Sequence, residues 1–124
     1  MPVVTLFTNV ARAMARDKQV ALKLSALSAE CLKKPPHYMM TKIQTDEIMS
    51  MGGTDDPCAQ INIASIGGLT PEMNKNTCRQ LTELVSSEYD IEADRIYIDM
   101  VDTDRTMIGL SGKMFDEILG PAPK

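Results

Sequence analysis

An α/β (α+β) fold of two duplicated β-α-β units, joined in a four-stranded mixed sheet with both helices on one face, is what the sequence predicts. Two observations lead there. Short β-branched runs alternate with amphipathic helical stretches, and shifting the chain by 58 residues lays the elements of the first half on those of the second. That shift places Val3 on Ile61, Tyr38 on Ile96 and Thr45-Asp46 on Thr103-Asp104. The identities are few, and the matching order of elements carries the inference. At 124 residues the chain has the length of a single domain. Its halves run over about 1–57 and 58–116, followed by a tail over about 117–124 that is expected to fray.

Taken in order, residues 3–7 are β-branched and aromatic and predict a strand that opens at Pro2. Val20, Leu24, Leu27 and Cys31 recur at helical spacing within residues 13–32, and Lys33-Lys34-Pro35-Pro36 supplies a basic last turn and then a stop. A second strand is expected over 38–43. Residues 45–57, with Gly52-Gly53 and Asp55-Asp56-Pro57, read as loop and turns, and 47–51 could form one helical turn.

The second half opens with a strand over 58–66 and breaks at Gly67-Gly68. A helix then starts near Thr70-Pro71-Glu72, its buried stripe drawn from Cys78, Leu81, Leu84 and Val85. The last long strand, 95–101, places Ile96, Ile98 and Met100 on a core face and Tyr97, Asp99 and Val101 on the other. Each β-α-β unit implies a parallel strand pair with a right-handed crossover. Two helices cover only one sheet face, so self-association is expected to cover the second.

Composition narrows the function classes. The chain is 44% hydrophobic and 24% charged, without an apolar run long enough to span a bilayer, so no membrane insertion is expected. A net charge of -4 argues against generic nucleic-acid binding. The opening residues lack the pattern of a secretory signal, which makes the cytoplasm the default address. Cys31, Cys58 and Cys78 are odd in number and widely spaced, as expected of reduced thiols, and His37 is the single histidine. Neither a Cys/His metal site nor a serine–histidine triad is well supplied, and His37 is expected at a turn or in solvent. The ten methionines are read as core filler.

One chemical feature stands out at the start. Removal of Met1 would expose Pro2 as a secondary amine. A free α-amino group titrates near about 7.7–8.0, and an apolar pocket lined with cations lowers that value, leaving neutral base at working pH. Such an amine can take a proton from carbon next to a carbonyl. Met-Pro is in itself also an ordinary way for a chain to begin.

Four segments, in order and at matching spacing over nearly the full length, carry a resemblance: MPVVTLFTNV, KKPPHY, DPCAQINIASIGG and DRIYIDMVD. The chain resembles the macrophage migration inhibitory factor and D-dopachrome tautomerase family. DPCAQ leans to the dopachrome branch, KPPHY and IYI to the other. The resemblance implies a homotrimer whose active sites lie between neighbouring subunits, and a keto–enol tautomerase with no cofactor. The implied substrates are aromatic α-keto acids such as phenylpyruvate, or dopachrome-like compounds. It implies Pro2 as catalytic base, Lys34 and the backbone N–H of Ile66 as ligands of the substrate carboxylate, and Tyr97 as a residue supplied by the adjacent subunit. Tyr38, Ile108 and Phe115 match an apolar and aromatic rim. Arg12 and Asp46 match a charged pair used in receptor mimicry, which opens a second reading, a cytokine exported without a signal peptide that binds a cell-surface receptor.

Without the resemblance, Lys34 reads as a solvated helix end, Tyr97 as a strand aromatic, Ile66 and Ile108 as core, and Arg12 and Asp46 as surface. Two departures from the family pattern stand out. Asp99 replaces the family's common asparagine and puts an anion where an anionic substrate is expected. Cys58-Ala59-Gln60-Ile61 lacks the second thiol of the family's Cys-x-x-Cys, so dithiol redox chemistry is not supported.

Overall fold

In the computed structural model, which describes residues 2–123, the two β-α-β units are present and share one sheet. The first comprises β1 (Pro2–Thr8), α1 (Met14–Leu32) and β2 (Met40–Gln44); the second comprises β3 (Ala59–Ser65), α2 (Pro71–Tyr89) and β4 (Ile96–Asp102). The sheet order is β2-β1-β3-β4. Strands β1 and β2 are parallel, as are β3 and β4, and the antiparallel β1–β3 pair joins the units.

The duplication is offset by 57 residues rather than 58 across the helices (14 to 71) and the 3-10 turns that follow them (36 to 93). Both helices have 19 residues and both end on a non-glycine residue in the left-handed conformation, Lys33 at φ 52° and Asp90 at φ 54°. Glycine normally takes such positions, because a Cβ there costs roughly 1–2 kcal/mol.

Both helices pack on one face of the sheet. Val4, Leu6, Ile61 and Ile63 from the central strands meet Val20, Leu24, Leu32, Leu81 and Val85 from the helices. The expected stripe on α1 holds at Val20, Leu24 and Cys31, while Leu27 is half-buried and Ser28 takes its place. On α2 the buried row is Thr77, Leu81, Val85 and Tyr89, a strict four-residue spacing that leaves Cys78 and Leu84 half-buried. The opposite sheet face presents Met40, Lys42 and Gln44 at one edge and Tyr97, Asp99 and Val101 at the other, all exposed.

Four expectations are corrected. The second strand begins at Met40 rather than at residue 38, because Pro36 opens a 3-10 turn, Pro36–Tyr38, in which Tyr38 N donates to Pro35 O at 3.1 Å. Residues 47–51 form no helical turn; Met51 instead bridges Thr54. Helix α1 ends at Leu32, so Lys33 and Lys34 stand beyond its last turn. Regular structure also continues past residue 116. A hairpin of β5 (Gly109–Leu110) and β6 (Lys113–Met114) leads into α3 (Phe115–Leu119), anchored by the fully buried Phe115.

Among the described residues no helix is long and apolar enough to cross a membrane. Cys31, Cys58 and Cys78 are all free thiols, and burial raises the pKa of Cys31.

Candidate functional site

The left-handed turn at Lys33 decides where Lys34 goes. With the helix stopped, Lys34 N donates to Ala29 O at 3.0 Å, and the side chain crosses to the end of β3, where Nζ donates to Ile66 O at 2.8 Å. Gly68 lies beside this path. It sits at φ 73°, and a Cβ built there would meet Lys34 Cε at 3.4 Å and Nζ at 3.5 Å. An ammonium carries three donors, so one carbonyl leaves two for another acceptor.

Pro2 lies at the same end of the sheet. It is buried and opposes Ser65, the residue before Ile66, in the antiparallel β1–β3 register. The Ser65–Gly67 corner is held on several sides. Thr103 N donates to Ser65 O at 2.7 Å, Ser65 Oγ donates to Gly67 O at 3.2 Å, and Gly67 N donates to Asp102 Oδ1 at 3.0 Å. Pro2, the buried Ile66 and Lys34 therefore share one fixed corner, with a positive charge held beside it.

The aromatic residues form a second group at this end, since β2 begins with Met40 opposite Val3. Tyr38 meets Phe115 edge-on, with ring centroids 5.7 Å apart at 78°, and the His37 ring centroid lies 4.3 Å from that of Tyr38. Ile108 is tied to the group through its carbonyl, which accepts from Phe115 N at 2.9 Å. Phe115 does not stand at a rim within this chain, because its ring is wholly buried, whereas Tyr38 and Ile108 are half-buried.

Tyr97 and Asp99 are not brought to Pro2 within one chain. Tyr97 opposes Gln60 and Asp99 opposes Asn62, five and three residues along β3 from Ser65. At roughly 3.3 Å per residue these offsets are about 17 and 10 Å. Tyr97 is 66% exposed on the uncovered sheet face. Asp99, also exposed there, accepts a hydrogen bond from Gln60 Nε2 at 3.2 Å.

Arg12 and Asp46 meet at the opposite end of β1. The Asp46 carboxylate accepts from Arg12 N at 3.0 Å, while the Arg12 side chain turns to Thr45 Oγ1 at 3.4 Å, so the pair is joined through backbone rather than as an ion pair.

Sequence reading missed Ser65, Gly68 and Asp102, which shape the corner; the Gly67-Gly68 break directly after a strand was the available signal. It also missed the buried contact between helices, where Tyr89 donates to Asp17 Oδ1 at 2.7 Å under the Arg16 guanidinium. No three His, Cys, Asp or Glu side chains among the described residues converge to hold a metal ion.

The same chain organisation is found in known proteins. A family model described as macrophage migration inhibitory factor (MIF) matches residues 1–116. Macrophage migration inhibitory factor from Xenopus laevis is 34% identical over 115 residues, covering 93% of this chain and 99% of the relative. The Mus musculus protein of that name is 32% identical with the same coverage. Among solved structures, a macrophage migration inhibitory factor homologue from Prochlorococcus marinus superposes with a TM-score of 0.87 at 26% identity, covering 91% of this chain and 98% of that one. The Trichinella spiralis protein gives 0.83 at 31% identity, covering 91% and 99%. Sequence and fold agree over the same span, and the chain belongs to the macrophage migration inhibitory factor family.

Proposed function

We propose that the protein is a keto–enol tautomerase of aromatic α-keto acids, with Pro2 as the base once Met1 has been removed. Met1 itself lies outside the described residues. The observation that carries this reading is the shared corner, with buried Pro2 opposite Ser65 and Lys34 Nζ bonded to the carbonyl of the next residue, Ile66. A keto acid whose carboxylate meets Lys34 and the N–H of Ile66 would present its benzylic carbon to the amine. The neutral Pro2 nitrogen takes one proton from that carbon, the C–C double bond forms as the carbonyl π pair moves to oxygen, and the oxygen gains a proton to give the enol. The reverse steps return the ketone, so no oxidant or cofactor is consumed.

In this reading the functional unit is a homotrimer, because Tyr97 and Asp99 can complete a pocket only at the Pro2 corner of a neighbouring copy. Their exposure on the uncovered sheet face supports this. Turnover of phenylpyruvate, followed as loss of the enol absorbance, tests the activity, and no rate above buffer would refute it.

A second reading is a secreted cytokine that engages a receptor through Arg12 and Asp46. It is favoured by their meeting on an exposed surface at the end of β1 away from Pro2. Receptor binding that persists in Pro2→Gly would separate the two functions.

A further inference from the structure

The family model matches residues 1–116, and the chain runs on beyond that match. After α3, Gly120 turns the backbone at φ 82° and ψ 177°, a conformation essentially restricted to glycine. Arg105 holds the segment that follows, Nη1 donating to Gly120 O at 3.0 Å and to Pro121 O at 3.3 Å. The Arg105 carbonyl also accepts from Asp116 N at 3.1 Å, so one residue anchors both ends of α3. Pro121 and Pro123 fix their own φ angles and stiffen the segment.

This path brings Ala122 and Pro123 into the lining of a cleft of ≈ 290 Å³ that Ile66, Gly67 and Asp102 also line. Ile66 accepts the Lys34 ammonium, and Gly67 is held by Asp102. The cleft and the candidate active site therefore meet at Ile66. The segment Gly-Pro-Ala-Pro brings no side-chain charge, so it acts through volume rather than electrostatics.

We propose that residues 120–123 form a strap that narrows the pocket from the Ile66–Gly67 side, making the enzyme selective for compact aromatic keto acids over those with a bulky ring substituent. The proposal rests on the tautomerase reading. Gly120 and Arg105 are its positioning residues, and Ala122 and Pro123 supply the wall.

The test compares kcat/KM for phenylpyruvate and for 4-biphenylpyruvate in the full-length protein, in a protein ending at Leu119, and in Arg105→Ala, Arg105→Lys and Pro123→Trp. The ratio of the bulky to the compact substrate is expected to rise by roughly tenfold in the shortened protein and in Arg105→Ala, and to fall in Pro123→Trp. Arg105→Lys should stay near the full-length ratio. Amide exchange at Gly67 provides a readout independent of turnover and is expected to quicken when residues 120–124 are removed. An unchanged ratio in variants that still turn over phenylpyruvate would overturn the strap. If the full-length protein turns over neither keto acid, the tautomerase reading fails by itself, and unchanged exchange at Gly67 then overturns the strap as well.

Discussion

Lys34 Nζ donates to Ile66 O at 2.8 Å, which fixes a cation one residue from the strand position that opposes Pro2. If that cation also receives the substrate carboxylate, its removal should weaken binding more than chemistry. A hydrogen bond to a charged group contributes about 1.5–3 kcal/mol, so Lys34→Ala is expected to raise KM for phenylpyruvate by roughly ten- to a hundredfold, with a smaller change in kcat. Gly68→Ala should act in the same direction by straining the turn at φ 73°, since its Cβ would meet the lysine only at ordinary contact distance. Steady-state kinetics of both variants check this, and an unchanged KM in Lys34→Ala would remove the residue from substrate binding.

The Tyr89–Asp17 hydrogen bond ties the C-terminal end of α2 to the first turn of α1. Tyr89→Phe is expected to cost about 1–2 kcal/mol in chemical denaturation, since it removes a buried bond and leaves Asp17 with one partner fewer. Burial alone would raise the Asp17 pKa, but the hydrogen bonds from Tyr89, Ala13 N and Arg16 outweigh it and leave the folded value below 3.8. A depressed folded pKa means that the stabilisation is present above the unfolded value and is lost as pH falls through the folded one. The stability gap between the parent and Asp17→Asn should therefore be flat from pH 7 to about pH 5 and shrink below about pH 4. A gap that widened on acidification would contradict the assignment. Burial, followed by the contact with Asp17, pushes the Tyr89 hydroxyl pKa well above its usual value of 10.0, so the tyrosine stays protonated across this range.

What could be read from the sequence was what periodicity carries. The alternation in β4 placed Tyr97 and Asp99 on the face away from the core, and the Thr70-Pro71 start of α2 is capped as its residues suggest, with Thr70 Oγ1 accepting from Met73 N at 3.3 Å. Features set by single backbone conformations were harder. Lys33 ends α1 in a conformation that its residue type does not advertise, and the 3-10 turn displaces Tyr38 from the strand. The β5–β6 hairpin turns on Ser111-Gly112, both at positive φ, and this short dipeptide was the one signal for it. Tyr89 lay beyond the counted apolar stripe, so its link to Asp17, 72 residues away, had no local trace. Within the candidate site, the residues came from the resemblance; the geometry adds that Lys34 reaches Ile66 and that Tyr97 and Asp99 stand too far from their own Pro2.

Self-association should follow from the sheet face left uncovered, with Tyr97 66% and Val101 56% exposed on it. Sedimentation equilibrium is expected to give the mass of three chains at micromolar concentration. A mass near that of one chain would refute the trimer and remove Tyr97 and Asp99 from the pocket.

Asp99 places a carboxylate where the family resemblance implies a neutral donor, and its hydrogen bond from Gln60 does not neutralise it. In a pocket shared between subunits it would favour the protonated Pro2 amine and repel a substrate carboxylate. About one kcal/mol of such repulsion corresponds to roughly fivefold in affinity. Asp99→Asn is therefore expected to lower KM for phenylpyruvate by about that factor and to move the acidic limb of the pH–rate profile to lower pH. If neither changes, Asp99 does not face the substrate.

The central claim is that the free secondary amine of Pro2 is the base. Phenylpyruvate turnover should be measured on preparations whose intact mass shows complete loss of Met1, complete retention of Met1, or the Pro2→Gly substitution. Full turnover only in the first, with a drop of about a hundredfold or more in the other two, is expected of a general base. Equal turnover in the Met1-retaining protein, where the nitrogen is an amide and cannot accept a proton at neutral pH, would contradict it.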